Sequence, residues 1–268
     1  VKQYGFFAKG KSLSPVSHSD SQSVAVEQQG VRSISVQNPI PEISPHKKRS
    51  NGRVTGDTAV YSGKTNIKAA ASQLDINLEN AKQYVQKQFV GQKQAIEDLF
   101  IAFKRPLIAG VQKDKPKNTF IVIGPESAGK NKLIDTTVSA LKHEKLLGYG
   151  TAAKVDLSLY PTQSEKPLFL SDLYKALYAN LDVVVFTNFD KCHEGMLGVI
   201  SDLVISGKHQ LGARYAMQNN NLIEATGVLM QNAVSEISAN NKYFIFVTQL
   251  SENKVSDLFG SKFMNNVE

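Results

Sequence analysis

From about residue 68 onward, apolar residues recur at intervals that change along the chain, as alternating helices and strands require. Leu74, Leu78, Ala81, Val85 and Phe89 fall at helical spacing, as do Ala95, Ile96, Leu99 and Phe100. Gly91 lies between the two sets, so two helices are predicted. Phe120 to Ile123 reads as a short apolar strand, followed by a glycine-containing loop and a helix from Gly129 to about Lys142. Leu133, Ile134, Val138 and Leu141 give that helix a single apolar stripe. Further strands are predicted at Lys154 to Leu157, Val183 to Phe186 and Tyr243 to Thr248. Further helices are predicted at Leu168 to Ala179, Gly195 to Ile205 and Leu222 to Ile237. Strands alternating with helices imply an α/β domain whose parallel sheet is covered on both faces.

Residues 1–62 show no such period. They hold 11 of the serines and four of the nine prolines, a composition that rarely buries enough apolar surface to offset the entropy of ordering. The expected organisation is therefore a low-complexity extension over 1–67, flexible or ordered by a partner, and a folded domain over 68–268. Within the extension, the alternation from Val31 to Val36 could add a strand to a partner. The chain begins at Val1 rather than at methionine, as a fragment of a longer protein would.

Charge sharpens this division. The formal net charge is +7, yet residues 1–62 carry eight Lys and Arg against four Asp and Glu, leaving only +3 for the folded part. The one basic cluster, Lys47-Lys48-Arg49, sits in the extension, so a nucleic-acid-binding face is not expected. No apolar run approaches the roughly 20 residues of a membrane-spanning helix. A single cysteine, Cys192, excludes an intramolecular disulfide and a cysteine-built zinc site, and fits an intracellular, reducing compartment. The five histidines lack metal-ligand spacing.

The chemistry concentrates after the first strand. Gly124-Pro125-Glu126-Ser127-Ala128-Gly129-Lys130 matches G-x-x-x-x-G-K in the context that motif demands, a buried strand before it and an amphipathic helix after it. Glycines let the backbone curl so that N–H groups face phosphate oxygens, and the helix N-terminus adds a favourable dipole. Lys130 is the expected ligand of the β- and γ-phosphates. The next residue should be Ser or Thr, whose hydroxyl binds Mg²⁺. Here it is Asn131, a weaker Mg²⁺ ligand, while the backbone cradle is unaffected.

Beyond this loop the chain resembles the large subdomain of a Clp-type AAA+ ATPase over about residues 74–268. Phe89-Val90-Gly91-Gln92-Lys93-Gln94-Ala95-Ile96 is similar to the segment that opens that module, and Lys104-Arg105 with Ala109-Gly110 to the stretch before its first strand. Phe120 to Lys130 resembles its phosphate-loop strand, Lys154-Val155-Asp156-Leu157-Ser158 its second strand, and Val183 to Phe186 with Asp190-Lys191-Cys192-His193 its third. The asparagine after the lysine also occurs in torsins, a branch of the same family. The resemblance implies a P-loop NTPase fold, ATP or ADP as ligand with Mg²⁺, and other AAA+ or complex subunits as partners.

The departures all fall on charge and catalysis. The family's acidic pair at the end of the third strand, which binds Mg²⁺ and polarises the attacking water, is Thr187 and Asn188 here. Asp190 lies two positions later and reads as structural. Gln249 stands where a water-sensing Asn is expected, and Asn266 where an arginine reaches into a neighbouring subunit's nucleotide. The aromatic pore loop is replaced by Tyr160 to Pro167, and Tyr149 between two glycines reads as a turn. Gly207 to Asn220, at the place of a second pore-lining element, reads as a solvated hairpin or loop. Cys192 occupies a small, buried family position and reads as core. Packing residues persist while catalytic groups vanish, so the implied function is a pseudo-ATPase serving as a structural or regulatory subunit. A slow, genuine ATPase and a nucleotide-free interaction scaffold are the alternatives.

Overall fold

A computed structural model describes residues 63–268 apart from Asn220. The expectations for the extension, its alternation at Val31 to Val36 and its basic cluster fall outside the described residues, except that 63–67 already belong to the first helix. That helix, α1 (Gly63–Gln88), is followed by α2 (Lys93–Ala109), β1 (Asn118–Ile123), α3 (Lys130–His143) and β2 (Ala153–Asp156). Next come α4 (Lys166–Tyr178), β3 (Val183–Thr187), α5 (Glu194–Ile205), β4 (Lys208–Gln218), β5 (Asn221–Glu224), β6 (Val234–Ser238), β7 (Tyr243–Thr248) and α6 (Glu252–Met264). The break between α1 and α2 falls at Gly91, whose φ of +82° lies in the left-handed region that favours glycine.

Four strands form a wholly parallel sheet in the order β1-β7-β3-β2. Successive side chains of a strand point to opposite faces, and here both faces are covered. Phe120, Val122, Val183, Val185, Tyr243 and Ile245 pack on one side with α1, α2 and α3. Ile121, Ile123, Val184, Phe186, Phe244 and Phe246 pack on the other with α4, α5 and α6. Phe246 is the hub of that second core, stacked on Phe186 at 5.0 Å and edge-on to Phe263 at 5.3 Å. The outer edge of β1 is covered by Glu268, whose N–H donates to Thr119 and whose carbonyl accepts from Ile121.

One expectation fails. Leu222 to Ile237 is not a helix but β5, a 3₁₀ turn at Gly227–Asn232, and β6. These two strands flank β4 in a three-stranded antiparallel sheet. Gln218 pairs with Asn221, so the hairpin turns within two residues, and Asn219 takes the positive φ such a tight turn needs. Gly227 at φ +55° is also incompatible with a helix. The stretch from Gly207 is accordingly a hairpin strand. Helix α6 and strands β5 and β6 are additions to the predicted set.

Gly207 supplies a test of the packing. Its φ is +82°, and a Cβ there would lie 2.6 Å from the Asp114 carbonyl oxygen. Gly207→Ala is expected to destabilise the domain by about 2 kcal/mol or more in urea unfolding, combining backbone strain with a backbone clash. Gly212→Ala, where a Cβ meets nothing within 4 Å, serves as the neutral comparison.

Candidate functional site

The four parallel strands end at one level, and their carboxyl ends open into a cleft. The ladder sets this level: Ile123 pairs with Thr248, Thr187 with Val247, and Asp156 with Thr187. A crevice beyond the carboxyl ends of parallel strands is the usual ligand position in such sheets. The cleft has a volume of about 340 Å³ and is lined by Glu126, Lys130, Asn131, Asp156, Thr187, Asn188, Asp190, Lys191 and the end of β7 through Gln249.

The loop after β1 builds its floor. Gly124 continues the sheet by donating its N–H to the Thr248 carbonyl at 3.1 Å. The chain then leaves the core: Pro125, Glu126 and Ser127 are exposed. Ala128 donates back to the Pro125 carbonyl at 3.2 Å, closing a turn. Only Gly129 uses the left-handed region, with φ +77°, and it forms the N-cap of α3. Lys130 opens that helix. Its side chain is buried at 6% exposure, and its Nζ donates to the Gly124 and Pro125 carbonyls. Burial pulls its pKa below the ordinary lysine value, partly offset by the charge of Glu126.

The opposite wall holds a polar cluster that local sequence pattern did not single out. Asp156, at the end of β2, accepts from the Asn188 Nδ2 at 2.8 Å and from the Ser158 Oγ at 2.7 Å and N–H at 3.1 Å, all on one carboxylate oxygen. Burial opposes its ionised form, but these hydrogen bonds and the nearby Lys191 outweigh that and hold its pKa below the usual carboxylate value. Asn188 itself sits in the left-handed region, φ +53°, a conformation asparagine tolerates. The only forewarning was the adjacency of Asp156 and Ser158. The partnership with Asn188, 32 residues away, needs the pairing of β2 with β3.

Of the four residues that the resemblance places at catalytic positions, Thr187, Asn188 and Gln249 meet in the cleft with Asn131. Asn266 does not. It is exposed at the end of α6, donates to the Lys262 carbonyl at 2.9 Å, and lines a separate hollow with Arg105 and Lys117. Asp190 is exposed on the cleft wall, one more carboxylate there than its structural reading supposed.

Other candidates resolve into packing. Cys192 packs against the core, and burial pushes its thiol up to about 11, which removes nucleophilic character near neutral pH. His193 caps α5 by accepting the Gly195 N–H on Nδ1 at 3.0 Å. Tyr149 lies in the loop between α3 and β2, between bends at Gly148 and Gly150, and its N–H donates to Asp182 at 3.2 Å. Among the described residues no group of three or more His, Cys, Asp or Glu is placed to hold a metal ion, and no helix is long and apolar enough to cross a membrane. No protein family matches the chain, and no curated protein is similar to it.

The Asp156 cluster generates a pH-dependent expectation. Because its pKa is depressed on folding, the cluster stabilises the protein above the ordinary aspartate pKa of about 3.9, and that contribution is lost as pH falls through the folded-state value. Asn188→Ala should cost about 2 kcal/mol at pH 7, about 1 from the hydrogen bond to a partly exposed charge and about 1, independent of pH, from placing alanine in the left-handed region. Urea unfolding should show the difference from the unmutated chain shrinking toward pH 3.

Proposed function

We propose that residues 68–268 form a P-loop nucleotide-binding domain of the Clp-type AAA+ kind. The domain holds ATP or ADP without turning it over and serves as a structural or regulatory subunit of a larger protein assembly. The observation that carries the reading is the loop Gly124–Lys130. It joins a buried strand to a helix N-terminus at the carboxyl ends of four parallel strands, with a buried lysine ammonium inside it. Loop N–H groups and the first turn of α3 would receive the phosphates. Lys130 would exchange its carbonyl partners for β- and γ-phosphate oxygens.

The donor set fits a hard cation brought in on the phosphates. Mg²⁺ is commonly held by one or two carboxylates together with substrate phosphate, and Asp156 with Asn131 supplies oxygen ligands on the cleft wall. Such an ion would neutralise phosphate charge. Turnover is another matter. Thr187 cannot act as a base, and the Asn188 amide is tied to Asp156. Asp156 carries a depressed pKa with three hydrogen bonds on one oxygen, so it is a weak proton acceptor. Asp190 on the cleft wall is the group a slow-ATPase reading would need.

Two measurements test this. Mg-ATP at 100 times its Kd should stabilise the unmutated chain by about 2.7 kcal/mol, and Lys130→Ala should abolish that shift. Equal melting curves with and without Mg-ATP would instead leave the scaffold reading. Phosphate release by the homogeneous protein should sit at background, since the missing carboxylate and guanidinium are each worth orders of magnitude in rate. Steady release lost on both Lys130→Ala and Asp190→Asn would establish the slow ATPase.

A further inference from the structure

We propose that Glu126 is a specificity-determining residue of this cleft: placed in the phosphate loop, it disfavours a free polyphosphate and admits the nucleotide as its divalent-metal complex. The inference rests on the nucleotide-binding reading above and specifies which form of nucleotide the site selects.

Three observations lead to it. Glu126 is on the exposed turn between Pro125 and Ala128, in the stretch of backbone that would wrap the phosphates, and it lines the cleft beside Lys130. The lining carboxylates Glu126, Asp156 and Asp190 outnumber the lining ammonium groups of Lys130 and Lys191. The loop's own donors are partly turned inward, with Lys130 on the Gly124 and Pro125 carbonyls and the Ala128 N–H on Pro125. The field facing an incoming polyanion is therefore weaker than a bare lysine in a glycine loop would supply.

A carboxylate held against a phosphate chain in a half-enclosed cleft repels it more than it would in bulk water. A divalent cation on the phosphates removes most of that repulsion and converts nearby carboxylates from repellers into neighbours of a positive centre. Glu126 is solvent-exposed, so screening limits the effect to about one order of magnitude. Its charge also favours the charged form of Lys130 against burial. That influence acts on both nucleotide forms alike, so the ratio of affinities isolates the repulsion.

The test is isothermal titration of the full chain and its Glu126→Gln variant with ATP in EDTA and with ATP in excess Mg²⁺. Because Glu126 is exposed on a turn, the variant should melt like the unmutated chain. Expected is a gain of about tenfold for Glu126→Gln with metal-free ATP and less than about threefold with Mg-ATP. An equal gain in both conditions, or none in either, would overturn the proposal while leaving nucleotide binding intact. Absence of binding by both chains in both conditions would overturn it together with the reading on which it rests.

Discussion

Strand β7 is the constraint on which the other elements depend. Every residue from Tyr243 to Thr248 is buried, and the strand pairs in parallel with β1 on one side and β3 on the other. Each of its apolar side chains belongs to one of two cores, so a slip of one residue would carry an aromatic set such as Phe244 and Phe246 onto the wrong face. Packing thus fixes the register. The register in turn brings Gly124, Asn188 and Gln249 out of the sheet side by side. The geometry of the cleft is a consequence of hydrophobic burial some distance below it.

At the upper rim the same strands become polar. Thr248 is still buried and accepts the Leu250 N–H on its hydroxyl at 2.9 Å, while Thr187 faces Asp156 across the ladder. The end of β3 carries no carboxylate, and the nearest one in the ladder is Asp156 on the neighbouring strand β2. Its surroundings differ from those of a base. Asn188 and Ser158 donate to it, so the protein stabilises its charge and lowers its appetite for a proton. A carboxylate of this kind suits an electrostatic role better than proton abstraction, in keeping with binding as the proposed function.

Much of the parallel sheet was legible because two-sided burial writes strands as short, uninterrupted apolar runs. Phe120 to Ile123, Val183 to Phe186 and Tyr243 to Thr248 all lie within observed strands. The antiparallel sheet was not legible. Strands β5 and β6 are short and buried in part, so neither writes an uninterrupted apolar run, while the decisive signals are conformational ones at Asn219 and Gly227. The loop was recognisable from its spacing. The Asp156–Asn188 partnership was not, because neither residue is unusual locally and their meeting is a property of strand pairing.

Two buried lysines show what separates a structural cation from an available one. Lys242, at the amino end of β7, donates to the Ala179 and Leu181 carbonyls and ties the end of α4 to the sheet. Lys130, at the carboxyl end of β1, makes the same kind of bond to Gly124 and Pro125. Burial lowers the pKa of both. The difference is access: Lys242 is enclosed by the helix end it holds, whereas Lys130 lines the cleft, where an anion can compete with neutral carbonyls. Removing that ammonium from water is already accomplished in the folded state, so a phosphate would meet a charge that needs little further desolvation. Preorganisation of this kind favours binding whether or not the cleft can complete a reaction, because it depends on the loop and the helix end and not on the residues of the opposite wall.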